Sequence, residues 1–192
     1  DPWHDIRTFI KLISKARKKR TNKLQDFALQ MSDKVLFVTK HLKEEYIQRF
    51  PEYKDKYHVI HNGYDPDDRK GIKPNEQDAH FNAIYPGQFI PGRIEAIRNL
   101  TIALKKTEDE FIQENFKIDI YSSNFTPPKF SESESKEIFK TCVETHPPRP
   151  PKEILQIVEN HTFCLSINAK HDAFAMGAKT FDYMLLGKPI LQ

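Results

Sequence analysis

Two spacings of apolar residues alternate along the chain, one typical of helices and one of short buried strands. Apolar residues at helical spacing predict helices at 5–31, 40–50, 93–107, 133–141, 152–160 and 177–186. Short apolar or β-branched runs predict strands at 34–39, 57–60, 81–86, 116–123, 142–146, 162–168 and at the last residues, "KPILQ". Because strands alternate with helices, we expect an α/β fold, a Rossmann-like parallel sheet with helices on both faces.

A polar stretch separates two series of these elements. It follows the turn signal Asn62-Gly63 and reads "YDPDDRKGIKPNEQDAH", rich in Pro and Asp. We therefore predict a partial α/β unit over 1–60, an interdomain linker over 61–79 and a second domain over 80–192. The start without Met and the apolar end predict that the chain is part of a longer protein.

Composition narrows the function classes. Charged residues make up 30% and hydrophobic residues 38%, with a net charge of +3, which is too balanced to indicate nucleic-acid binding. There is no apolar run of the roughly 20 residues that a membrane span needs, and no signal peptide is visible, so a cytoplasmic protein is expected. Cys142 and Cys164 show no metal-binding spacing and are predicted to be buried and reduced.

Small, polar and cationic residues follow the predicted strands of the second series. Ligands of open parallel sheets bind beyond the carboxyl ends of the strands. Glycines and free backbone N–H groups at a helix start favour an anion, and a cation there is explained by a bound anion. A phosphorylated ligand is therefore expected at these strand ends, near Gly87, Gln88, Arg93, Ser122, Ser123, His146, Gly177 and Lys179.

The helix over 177–186 leaves two interpretations open. Asp182 lies three residues after Lys179 and could accept hydrogen bonds from sugar hydroxyls, but the two could equally form a solvated i,i+3 pair. His146 and His171 could likewise be ordinary surface histidines. Gly187 fits the residue after the helix end. No GxGxxG, GxxxxGK[ST] or HExxH motif is present, so a nicotinamide cofactor, an ATPase loop and a metal are not expected.

Four segments carry a family resemblance. They are "DKVLFVTKHLKEEY" with "YHVIHNGYDP", then "AIYPGQFIPGRIEAIRNLTIAL", then "PPKEILQIVENHTFCLSIN", and finally "GAKTFDYMLLGKPIL", and they resemble GT-B fold glycosyltransferases of the family 4-like type. The last is similar to the Gly-Lys-x-x-Glu-Tyr-x-x-x-Gly-Lys-Pro-Ile signature of these enzymes. The resemblance implies the end of an acceptor domain, a linker and most of a donor-binding domain.

The resemblance also implies an activity. Such enzymes transfer a sugar, commonly with retention of configuration, from a nucleotide-sugar to a glycan or lipid-linked acceptor in polysaccharide biosynthesis, and no metal cofactor is expected. A hexosyltransferase is implied, inactive as this piece alone. By position in the matching motifs, the resemblance implies that Arg93 and Lys179 act on the diphosphate, beside Gly87, Gln88 and Gly177. It implies that Ser122 and Ser123 line the nucleotide, that His146 lies near the base and that Asp182 binds the ribose. Asp1 would face the acceptor.

Two departures from the family pattern keep a second function open. Gln88 stands where the family usually has Arg, and the first acid of its two-Glu motif has no clean counterpart, since Asp172 lies ten rather than eight residues before Asp182. The alternative is a degenerate module of the same fold that binds a nucleotide or glycan without turnover.

A basic segment near the start suggests a surface partner. "KLISKARKKRTNK" at 11–23 could rest on an anionic membrane or a lipid-phosphate acceptor at the inner face of a membrane. The other interpretation is a solvated helix face.

Overall fold

The computed structural model describes residues 15–73, 81–89, 93–168 and 177–192. These residues separate into two compact units, and the division falls between Asn62 and Gly63. Each unit alternates strands and helices and contains a parallel sheet. The predicted α/β class, with a partial second α/β unit, is therefore confirmed.

The first unit is a small α/β arrangement around two parallel strands. Its elements are α1 (Lys15–Met31), β1 (Val35–Phe37), α2 (Lys40–Arg49), a 3-10 helix (Pro51–Lys56) and β2 (Tyr57–Val59). Thr39 begins α2 because its hydroxyl accepts the Leu42 N–H at 3.2 Å. Aromatic packing fills the core, where Tyr46 and Tyr57 both lie against Phe37.

The second unit is built on a five-stranded parallel sheet with the order β5-β4-β3-β6-β7. The segment before the sheet forms a 3-10 helix (Pro66–Arg69). The strands are β3 (Asn82–Pro86), β4 (Lys117–Tyr121), β5 (Val143–His146), β6 (Phe163–Leu165) and β7 (Ile190–Leu191), and the helices are α3 (Ile94–Lys106), α4 (Glu110–Asn115), α5 (Ser133–Cys142), α6 (Pro151–Glu159) and α7 (Ala178–Leu186).

Helices bury both faces of this sheet. Ile118 and Ile120 of β4 are fully buried in a cluster with residues of α3 and α5. Ile84 of β3 is fully buried in the opposite cluster, among side chains of α6 and α7. Neighbouring residues of a strand point to opposite faces, so a strand that is covered on both faces needs apolar residues at successive positions. This explains the apolar runs of β3 and β6.

Two parts of the second unit differ from the sequence-based expectation. Helix α4 was not predicted, because six residues are too few to show helical periodicity. The segment expected as a linker is docked on the unit over residues 63–73. Arg69 donates to the Leu185 carbonyl at 2.8 Å, and the Gln156 amide bonds both backbone groups of Lys73.

The Gly-Lys-Pro sequence ends α7 and joins it to α6. Gly187 has φ +67° and follows the last helical residue, as predicted, and the N–H of Lys188 bonds the carbonyl of Tyr183 at 3.0 Å. The Lys188 ammonium, largely buried, donates to the backbone carbonyl of Glu159 and lies 3.8 Å from its carboxylate. Lys188 thus satisfies the backbone carbonyl at the end of α6 and places its positive charge near the Glu159 carboxylate.

We predict that Lys188→Ala destabilises the second unit, because it leaves the buried Glu159 carboxylate without its cation. A hydrogen bond to a charged group contributes about 1.5–3 kcal/mol, so the free energy of unfolding should fall by about that amount. Urea unfolding measures it. Lys140→Ala is the matched control, since Lys140 forms a solvent-exposed pair with Glu137 and its loss should leave the free energy of unfolding nearly unchanged. Equal effects of the two substitutions would contradict the prediction.

Candidate functional site

A small pocket of about 180 Å³ opens at the carboxyl ends of β3, β4 and β5. We call it the carboxyl-edge pocket. Five of the residues predicted from the sequence to bind a ligand line it together. They are Gly87, Gln88, Ser122, Ser123 and Lys179. The rest of its lining is formed by Pro86, Tyr121, Pro148, Arg149, Pro151 and Ile154.

Gly87 is required by a close approach within the pocket wall. A Cβ on Gly87 would lie 3.2 Å from the ring and hydroxyl of Tyr85, which is tighter than ordinary van der Waals contact. The Gly87 N–H extends the sheet by bonding the Tyr121 carbonyl at 3.0 Å. The Tyr85 hydroxyl in turn donates to the Gln88 carbonyl at 3.1 Å. The loop after β3 is therefore held against the sheet at two successive residues.

Asn124 holds the same loop from the side of β4. Its amide oxygen accepts the Phe89 N–H at 2.9 Å, and its amide nitrogen donates to the Phe89 carbonyl at 3.0 Å. The Ser122 hydroxyl donates to the same amide oxygen at 3.0 Å. Asn124 was not among the residues predicted to bind a ligand. The signal was weak, since it was a lone Asn directly after the predicted strand 116–123.

Arg93 contacts the residues that form the wall of the pocket at the end of β3. Its guanidinium donates to the Tyr85 hydroxyl at 3.2 Å and to the Gln88 carbonyl at 3.4 Å. It is not among the residues that line the described part of the pocket. The geometry therefore shows Arg93 bracing the loop that carries Gly87 and Gln88, and its predicted catalytic role stays a prediction.

The first turn of α7 contributes Lys179. Its ammonium donates to Asp182 at 3.1 Å, and both side chains are substantially exposed, which matches the i,i+3 pair considered from the sequence. Lys179 also lines the pocket, so the two interpretations of this lysine are compatible. Gly177 precedes the helix, and its carbonyl accepts the Thr180 N–H at 3.0 Å. The predicted ribose contact of Asp182 stays a prediction.

His146 forms a polar cluster beside the pocket. Its Nε2 lies 2.8 Å from Asp119 Oδ1, and its ring stacks on Tyr121 with centroids 4.5 Å apart. His161 Nε2 lies 2.8 Å from the other oxygen of Asp119. Burial alone would favour the neutral carboxyl, but the two histidine hydrogen bonds outweigh it and lower the pKa of Asp119. The contact of His146 with a base stays a prediction, and in this structure His146 backs the Tyr121 wall.

Arg149 is the cation that the sequence analysis missed. It lies in the "PPRPP" turn after β5 and lines the pocket together with Lys179. None of the lining residues that the structure describes is acidic. Two cations, Arg149 from the turn after β5 and Lys179 from the first turn of α7, together with serine hydroxyls at a strand end, give the pocket a positive potential suited to a phosphate-bearing ligand. The predicted residue Asp1 lies outside the described residues, as do His171 and Asp172.

The fold is that of GT-B glycosyltransferases. Residues 1–68 match the family model Glycosyltransferase Family 4. A glycosyltransferase from Rickettsia africae superposes with a TM-score of 0.61 at 14% identity, covering 93% of this chain and 48% of its own. Sucrose-phosphate synthase from Thermosynechococcus elongatus superposes with a TM-score of 0.59 at 14% identity, and the match covers 97% of this chain and 47% of the synthase chain. The predicted resemblance is therefore confirmed, in sequence for residues 1–68 and in fold for the described chain.

One similar structure contains ligands. It is a variant of S. aureus TarM in complex with fondaparinux, alpha-GlcNAc-glycerol and UDP, with a TM-score of 0.58 at 11% identity, covering 93% of this chain and 33% of that protein. The chain thus spans less than half the length of the three structures it is compared with. No curated protein matches it in sequence.

We predict that the Asp119 cluster makes the second unit sensitive to acid. A carboxyl whose pKa is lowered in the folded protein stabilises the fold at any pH above its ordinary pKa of 3.8. This stabilisation is lost as the pH falls through the lowered pKa of the folded state. Between about pH 5.5 and pH 3, the free energy of unfolding should therefore fall more steeply in the wild type than in Asp119→Asn. Parallel pH dependences would refute the assignment. Asp68→Asn, at an exposed position, serves as the control.

Proposed function

We propose that the protein carrying this chain is a GT-B glycosyltransferase that binds the diphosphate of a nucleotide-sugar in the carboxyl-edge pocket. The observation that carries the proposal is the meeting of Arg149 and Lys179 in one pocket with the backbone of Gly87. The UDP in the TarM complex supports a nucleoside diphosphate as the ligand class. The chain spans less than half of these relatives, so the acceptor side of the reaction belongs to the whole protein.

The chemical step proposed here is stabilisation of the leaving group. As the bond between the sugar and the diphosphate breaks, negative charge grows on the diphosphate oxygens. Cations fixed before the reaction stabilise that charge without reorganising. Lys179 and Arg149 supply the positive charge, and Arg93 acts by holding Gln88 and the loop in place. Transfer proceeds with retention of configuration to a glycan or lipid-linked acceptor, and the protein acts as a hexosyltransferase in polysaccharide biosynthesis without a metal at this pocket.

The second candidate is a module that binds a nucleotide without transferring sugar. Gln88 lines the pocket at the position where the resemblance leads one to expect Arg, and this observation favours weaker stabilisation of the leaving group. The two candidates differ in turnover. The full protein with a nucleotide-sugar and a suitable acceptor should release nucleoside diphosphate if it is an enzyme, and only bind it if it is a module.

We expect Arg149→Ala and Lys179→Ala each to weaken UDP binding. A hydrogen bond to a charged phosphate contributes about 1.5–3 kcal/mol, which corresponds to about a 10- to 100-fold rise in Kd. Isothermal titration with UDP, GDP and ADP on the full protein measures the loss and identifies the preferred base. Arg149→Lys should retain part of the affinity because it keeps the charge.

The control for this experiment is Lys140→Ala. Lys140 pairs with Glu137 on α5 and is not part of the described pocket lining, so its loss should leave the Kd unchanged. Unaltered UDP affinity in both pocket variants would remove the basis of the proposal.

Helix α1 supports a second proposed partner, an anionic membrane surface. Its sequence holds six Lys and Arg residues and one acid, Asp26. Leu24, Phe27 and Met31 are 51%, 59% and 68% exposed and lie on one face, at i, i+3 and i+7. An exposed apolar stripe within a basic helix fits the boundary between lipid headgroups and acyl chains.

In the described part of the chain, no helix is both long and apolar enough to cross a bilayer. The proposed location is cytoplasmic, at the inner face of a membrane.

Vesicle binding tests this partner. The full protein should sediment with vesicles that contain about 30% phosphatidylglycerol and much less with neutral vesicles, because anionic lipid attracts juxtaposed Lys and Arg side chains. Leu24→Ser with Phe27→Ser should reduce the bound fraction, whereas Phe111→Ser, at an exposed position on α4, should not. Binding that is absent, or that survives the double substitution, would contradict the proposal that this face contacts a membrane.

A further inference from the structure

Three side chains with metal-binding atoms meet at the open edge of the second unit's sheet. Asp119 lies on β4, and Glu144 and His146 lie on the edge strand β5. One ligand atom from each lies within 4.8 Å of the other two. We infer that these residues form a binding site for a divalent transition metal, for which Zn²⁺ is the natural probe. The site lies outside the carboxyl-edge pocket and does not rest on the proposed function.

The donor types and separations fit a three-ligand zinc site. Zinc bonds to histidine nitrogen and carboxylate oxygen at about 2.0–2.2 Å, so two ligands of a tetrahedral ion lie about 3.4 Å apart. His146 Nε2 lies 2.8 Å from Asp119 Oδ1 and 3.9 Å from Glu144 Oε1, on either side of that value. The Glu144 side chain is 76% exposed, so a small rotation adjusts its distance without disturbing the core.

A second layer of hydrogen bonds already orients the central carboxylate. Asp119 Oδ2 faces His161 Nε2 at 2.8 Å, and His161 Nδ1 faces the Ile157 carbonyl at 2.7 Å. His161 is only 7% exposed, so this chain of contacts is anchored in the fold. Ligating carboxylates are commonly held in this way, with one oxygen fixed by the protein and the other directed at the ion. Here the second oxygen, Oδ1, is directed at His146.

An ion can reach the site from solvent. Asp119 and Glu144 both line a polar cavity of about 580 Å³ at the edge of the sheet. Two lysines of the same cavity are engaged elsewhere, since Lys117 donates to the Thr141 carbonyl at 3.0 Å and Lys140 pairs with Glu137 at 2.7 Å. Their positive charge lowers the affinity for a cation, and the two carboxylates oppose this effect.

Metal binding at this site needs the lone pair of His146 Nε2. In a neutral imidazole the hydrogen then lies on Nδ1, so the N–H bond at Nε2 is exchanged for one at Nδ1 and no proton is lost from the ring. Coordinate bonds form from His146 and the two carboxylates, and no electron is transferred.

The test is calorimetric titration of ZnCl₂ into the full protein after removal of metals with EDTA. We expect one saturable site per chain. Glu144→Gln and His146→Gln should each weaken it by at least about tenfold, as even second-layer changes at metal sites do. Glu144→Gln is the decisive variant, because an exposed side chain can be neutralised without affecting folding. Substitution of Co²⁺ for Zn²⁺ should give the visible absorption of a tetrahedral site, and Glu144→Gln should remove it.

Matched controls separate this site from other surface ligands. His58→Gln and Glu108→Gln replace an exposed histidine and an exposed glutamate elsewhere in the chain, and both should bind Zn²⁺ as the wild type does. Absence of saturable binding, or equal affinity of Glu144→Gln and the controls, would overturn the inference.

Discussion

The burial of a parallel sheet on both faces is the constraint on which the rest of this structure depends. Helices α3 and α5 cover one face and α6 and α7 cover the other, so the central strands β3 and β6 offer little free surface to a ligand. What stays open there is the carboxyl ends of the strands. Because all five strands run in the same direction, the loops that follow β3, β4 and β5 meet at one edge. The pocket with Gly87, Ser122 and Arg149 is a direct consequence of this arrangement.

The sequence predicted this arrangement well where the signal was local. Continuous apolar runs indicated the buried strands, and the Gly187 position after α7 followed from helix-ending chemistry alone. The residues directly after each strand could be placed at the same edge, because strand direction in an α/β fold follows from the alternation of elements. The structure accordingly brings Gly87, Ser122, Ser123 and Lys179 into one pocket.

Contacts between distant positions could not be read in this way. The direction of His146 depends on Asp119, 27 residues earlier, and on the register that pairs Asp119 with Glu144. Arg149 lies in a proline-rich turn without periodicity, so no pattern indicated which way it points. The supposed linker was judged by its polar composition, yet two side chain contacts, from Arg69 and Gln156, attach it to the second unit.

The close packing of Tyr85 against Gly87 connects the loop after β3 with Arg93. Because a Cβ at this position would lie 3.2 Å from the Tyr85 ring and hydroxyl, a larger residue requires the tyrosine to shift by a few tenths of an ångström. The same tyrosine hydroxyl contacts the Gln88 carbonyl and the Arg93 guanidinium, so the displacement would be felt at both. A single methyl group at Gly87 would therefore alter the contacts that hold the loop after β3, although it lies at none of the hydrogen-bonding side chains.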